Sequence, residues 1–104
     1  MILISDAMPT VGGPESFELY GKTIRVRNGK LINDEGSLAS AHVTVAQSVG
    51  HAVHRIGSPL EMALRMAVTH PAEALGRGEL SRLTGLPLSD LVVLDTSLAK
   101  ASTL

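Results

Sequence analysis

Cysteine and tryptophan are absent from these 104 residues, and phenylalanine and tyrosine occur once each. Without cysteine there is no disulfide and no thiolate to serve as nucleophile or metal ligand, which fits a cytoplasmic setting. Without aromatic bulk, a core must be built from Leu, Val, Ile, Ala and Met, within an apolar fraction of 44% that is ordinary for a folded chain. No apolar run approaches the roughly 18–20 residues that span a bilayer, so no membrane partner is expected. The first residues carry no basic stretch ahead of an apolar one and do not read as a signal peptide. An excess of one charge is missing too. Nine Lys and Arg against ten Asp and Glu leave a net charge of -1, which excludes the basic footprint of a nucleic-acid binder. A Walker-type loop and a G-x-S-x-G elbow are also lacking. The length allows one domain with a modest core.

The stretch that is most informative comes first. Ile2-Leu3-Ile4 predicts a short buried strand, followed by Ser5-Asp6 and then by Pro9 and Gly12-Gly13, which forbid regular structure. Asp6 therefore stands at a strand-to-loop junction, where barrel and open-sheet enzymes mount catalytic side chains. The same position suits an Asp that only caps a turn. Gly12-Gly13 reads as turn chemistry before it reads as a phosphate cradle.

Residues 17–36 predict a small antiparallel meander. Phe17-Glu18-Leu19 alternates, Gly21-Lys22 turns the chain, and Thr23–Arg27 alternates again with Ile24 and Val26 on one face. Arg25 and Arg27 share the opposite, solvated face. Asn28-Gly29 is a type I′ hairpin signal, and Lys30-Leu31-Ile32 returns as the partner strand. Leu38-Ala39-Ser40 falls in the loop that follows.

Helical periodicity occupies residues 41–76. Thr44 and Gln47 have capping-box spacing, with Val45, Ala46, Val49, Ala52, Val53 and Ile56 on one face and Gly57 as the stop. Ser58-Pro59-Leu60-Glu61 opens a second helix whose predicted buried stripe is Leu60, Ala63, Leu64, Ala67 and Val68. Pro71 should end it and start a short turn that closes at Gly76. Leu91–Leu94, within residues 88–95, predicts a final apolar strand. The order is α+β, and Ile2–Ile4 has no neighbour in sequence to pair with in parallel.

Ser5-Asp6-Ala7-Met8-Pro9, Gly12-Gly13, Asn28-Gly29 and Gly36-Ser37-Leu38-Ala39-Ser40 occur in a telling order. Glu61-x-Ala63-Leu64-Arg65-Met66-Ala67, Pro71-Ala72, Leu75-Gly76 and Asp90-Leu91-Val92-Val93-Leu94-Asp95 follow. The whole resembles the C-terminal quarter of the N-acetylglucosamine-6-phosphate deacetylases, a family of the amidohydrolase superfamily. The resemblance implies that residues 1–16 are the last strand and active-site loop of a (β/α)8 barrel. The meander and final strand would then belong to the small β-sandwich beside it. It further implies a parent enzyme that uses a divalent metal, zinc or similar, to hydrolyse the acetamide of N-acetylglucosamine 6-phosphate. Asp6 matches the Asp that takes a proton from the attacking water and delivers it to the leaving amine. Leu38, Ala39 and Ser40 match the segment that closes the sugar pocket, with Ser40 in place of the usual Gly. The family's metal-binding Glu and His residues have no match here, so no metal is expected on this chain and the chain alone is expected to be inactive.

The four histidines add no ligand set. His51 and His54 lie three apart on one predicted helix without a third ligand near them in sequence, and His42 and His70 match no family ligand. Asp90 matches a structural Asp of the superfamily. Two rival readings stay open. One is a stand-alone interaction domain that self-associates through the exposed opening strand. The other is a piece of a different amidohydrolase, such as a deaminase or a dihydroorotase.

Overall fold

Pairs of residues in the left-handed region shape the sheet of the computed structural model, which describes Met1–Leu104. Asn28 and Gly29 take φ of 52° and 72°, as a type I′ turn requires, and join β2 (Lys22–Arg27) to β3 (Lys30–Ile32). Tyr20 and Gly21 repeat that turn with φ of 51° and 75°, joining β1 (Ser16–Leu19) to β2. Sequence placed this turn one residue late, because Tyr signals no preference for positive φ. Pairing of Leu19 with Lys22 is what forces Tyr20 into it. Asn33 Oδ1 accepts the N–H groups of Glu35 and Ser37 and so shapes the connection to β4 (Leu38–Ala41).

β4 corrects the loop expected at Leu38-Ala39-Ser40. It completes a four-stranded antiparallel sheet in the order β1-β2-β3-β4. Phe17 faces Ile24, Val26 faces Leu31 and Leu31 faces Ser40, so these residues share one side of the sheet. Leu31 is fully buried and Ile24 nearly so, whereas Arg25 and Arg27 are exposed as predicted. The register shifts between Leu31–Ser40 and Ile32–Leu38, which makes Ala39 the extra residue of a β-bulge.

The chain divides into two compact units, Ser5–Thr44 and Met1–Ile4 with Val45–Leu104. The second unit is built on α1 (Val45–His54), whose Val49 and Ala52 are buried. Both Arg55 and Ile56 donate their N–H to the His51 carbonyl, ending the helix before Ile56. Ile56, predicted on the apolar face, is therefore 77% exposed.

The next helical run begins after Pro59, whose extended ψ of 141° keeps it and Ser58 outside, so no side-chain cap forms. α2 (Leu60–Leu64) passes through a π-helical turn (Arg65–Thr69) directly into α3 (His70–Ala74). Pro71 thus does not stop the helix. In the π turn His70 donates to the Arg65 carbonyl five residues back, and the next such donor would be Pro71, which has no N–H. The Met66 carbonyl left over accepts the N–H of Leu3 at 2.9 Å.

Val49, Ala52, Ala63 and Met66 form the core of this unit, with Leu3, Val53, Ala67 and Leu94 packed against it. Small residues at 52 and 63 let α1 and α2 approach closely. The bulkier Leu60, Leu64 and Val68, predicted as buried, remain 43%, 40% and 50% exposed. Ile2–Ile4 forms no strand. It is held by the Leu3–Met66 bond and by His70 Nδ1 donating to the Met1 carbonyl at 2.7 Å. The strands of this chain pair only with one another, all antiparallel, and none pairs with Ile2–Ile4.

Two 3-10 turns, Gly78–Ser81 and Leu88–Asp90, lead to β5 (Val92–Leu94). β5 was predicted, but its antiparallel partner β6 (Ala101–Thr103) was not, because Ala-Ser-Thr carries no apolar alternation. Asp95 builds the connection. Its Oδ1 accepts the N–H groups of Ala99 and Lys100 at 2.8 and 3.0 Å, and its Oδ2 accepts the Ser97 hydroxyl at 2.6 Å. The Ser97 bond, followed by the two backbone bonds, holds the Asp95 carboxyl below the ordinary Asp range.

Candidate functional site

Asp6 takes a φ of 48°, in the left-handed region that Asp tolerates better than most side chains. Its carboxylate is exposed. The Ser40 hydroxyl lies 3.3 Å from Asp6 Oδ2 and 3.4 Å from the Asp6 carbonyl, and donates to both as a shared bond. Two residues singled out from sequence for different reasons are thus brought together across thirty-four positions. Ser40 can reach because the bulge at Ala39 sets its register opposite Leu31. Leu38 is 72% exposed, Ala39 is also exposed, and Ser40 is half-buried.

The loop that carries Asp6 is pinned at a second point. Thr10 is the one buried polar residue, at 3% exposure, and its Oγ1 shares a 3.0 Å hydrogen bond with His42 Nδ1. Sequence reasoning missed both residues as part of this site. A Thr and a His separated by thirty-two positions give no signal until β4 has been paired. Turns from Met8 to Val11 and from Thr10 to Gly13, each closed by a backbone bond, complete the loop.

The other histidines stand elsewhere. His51 and His54 line a shallow cleft with Arg55 and Ser97, and His70 is occupied by the Met1 carbonyl. No group of three or more His, Cys, Asp and Glu side chains converges to hold a metal ion. The residues of this chain therefore do not make a metal centre by themselves. Asp90 is exposed and touches only the neighbouring Ser89 hydroxyl among its side-chain partners.

No family model matches the chain. An N-acetylglucosamine-6-phosphate deacetylase of Haemophilus influenzae is 33% identical over 79 residues, covering 73% of this chain and 21% of the relative. A solved N-acetylglucosamine-6-phosphate deacetylase from Pasteurella multocida superimposes with a TM-score of 0.80 at 31% identity, over 98% of this chain and 28% of its own. The chain is related to the N-acetylglucosamine-6-phosphate deacetylases. An N-acetylgalactosamine-6-phosphate deacetylase of Shewanella sp. is 31% identical over 97 residues, which is 91% of this chain and 24% of the relative. The deacetylase from Thermotoga maritima, at 21% identity and a TM-score of 0.74, shares the fold. This chain spans between 21% and 28% of the length of these deacetylases. No helix in it is long and apolar enough to cross a membrane.

Proposed function

We propose that this chain is the C-terminal part of a longer deacetylase acting on 6-phosphorylated N-acetylhexosamines, N-acetylglucosamine 6-phosphate first among them. Asp6 is its general base and then its general acid. It takes a proton from the water that attacks the acetyl carbonyl, and it returns that proton to the leaving amine as the amide bond breaks. Acetate and glucosamine 6-phosphate are the products. The observation that carries this reading is the exposed Asp6 carboxylate, mounted on a left-handed residue and oriented by Ser40. Leu38 and Ala39, exposed on β4, supply the apolar wall beside the sugar. Met1–Ile4, unpaired in this chain, becomes the last strand of the barrel once its parallel neighbours are present. A cytoplasmic setting suits such an enzyme and a chain without cysteine.

In the longer protein, Asp6→Asn is expected to lower kcat by about 10³-fold or more, toward the upper end of what proton transfer contributes, with little change in KM. Retention of full acetate release by that variant would refute the assignment. The chain alone is expected to release no acetate even with zinc added, since no three of its His, Asp and Glu side chains converge to hold the ion. Both the gluco and the galacto epimer should be assayed, because the relatives include a deacetylase for each.

A further inference from the structure

Ser40 has a single hydroxyl proton and two acceptors for it, both on Asp6: the carboxylate Oδ2 at 3.3 Å and the main-chain carbonyl at 3.4 Å. The two acceptors do different things. The bond to the carbonyl ties down a residue whose backbone already sits in a sparsely populated region, at φ 48°. The bond to Oδ2 restricts rotation of the carboxylate about its own axis. A bulge at Ala39 sets the register that brings the hydroxyl within reach, and the Thr10–His42 bond holds the far side of the same loop. Alanine or glycine at position 40 would remove both bonds at once.

We propose that Ser40 is a positioning residue for Asp6 and not a contact to the sugar. This rests on the reading of Asp6 as general base. With Oδ2 held by Ser40, proton transfer falls to Oδ1, which keeps one orientation toward the attacking water instead of sampling several. The hydroxyl supplies no proton to the reaction; it fixes the group that does. The expected size is modest, because the bond is long and exposed. A hydrogen bond of this kind is worth about a fivefold change in rate.

The test has two arms. In the chain itself, the Asp6 side-chain carboxyl carbon is followed by NMR in the wild type, in Ser40→Ala and in Ser40→Thr. The alanine variant is expected to move that resonance and the threonine variant to keep it. An Asp6 resonance indifferent to Ser40→Ala overturns the proposal. In the longer deacetylase, Ser40→Ala should lower kcat about fivefold at unchanged KM and unchanged melting temperature, with Ser40→Thr restoring kcat. A raised KM at unchanged kcat would make Ser40 a sugar contact and overturn it. So would a joint fall in kcat and melting temperature that threonine does not reverse. Failure of the general-base reading looks different, since Asp6→Asn would then remain active whatever Ser40 does.

Discussion

Gly50 is buried on α1 at a point where a side chain has no room. A Cβ there would stand 2.4 Å from the carbonyl oxygen of Leu98, in the loop that Asp95 organises. Helix propensity alone favours Ala over Gly by about 1 kcal/mol, but overpacking against a backbone oxygen costs about 1–3 kcal/mol. The second effect should win, so Gly50→Ala is expected to lower the urea midpoint of unfolding. A higher midpoint would show that loop and helix move apart at no cost. Asp95 makes a complementary prediction. Its carboxyl is held below the ordinary range in the folded chain, so its contribution is present above the unfolded value, near pH 4, and is lost as pH falls through the lower folded value. Hydrogen exchange at Ala99 and Lys100 should therefore keep its protection at pH 5, and the carboxylate bonds should loosen only below about pH 4. Arg77 does the same for Glu79, whose carboxyl is lowered first by that side-chain bond.

At the scale of elements, the helical run Leu60–Ala74 shows how a proline is absorbed instead of ending a helix. The π turn shifts the missing bond onto the Met66 carbonyl, and Leu3 fills it. Pro71→Ala would supply an N–H that competes for that carbonyl. We expect the Leu3 amide to exchange about tenfold faster in this variant, while the helix itself gains from losing a residue of poor helix propensity. An unchanged Leu3 amide would mean that the tether does not depend on the proline. The sheet illustrates a different rule. Strand alternation and Asn28-Gly29 were sufficient to place β2 and β3, but β4 and β6 carry too little apolar alternation to declare themselves. They become strands because an edge beside them offers backbone hydrogen bonds.

Over the whole molecule, the apolar side chains left uncovered are the telling feature. Only Ile24, Leu31, Val49, Ala52, Ala63, Met66 and Ala72 are buried apolar residues, and four of the seven are alanine, valine or methionine of the helical unit's core. Leu60, Leu64 and Val68 stay open along one helical face, and Ile4 is 73% exposed. Such a surface suits a piece of a larger fold, in keeping with the share of the related deacetylases that the chain covers. In isolation it should self-associate as concentration rises, and Leu64→Lys should weaken that association in sedimentation velocity. A chain that stays monomeric at high concentration would count against the reading.

Much was determined by the sequence alone, because the physics behind it is local. Turn chemistry at Asn28-Gly29, alternation in β2 and helical periodicity in α1 all follow from neighbours within a few residues. The motif order from Ser5 to Asp95 carried the resemblance that the related deacetylases bear out. Only the tertiary structure decided what depends on distant partners. Strand pairing set the bulge at Ala39 and placed Ser40 on Asp6. Close helix packing chose the alanines over the leucines for burial, and a carbonyl freed by Pro71 found its donor in Leu3. Periodicity says which residues share a face, but packing and hydrogen-bond satisfaction say which face is covered.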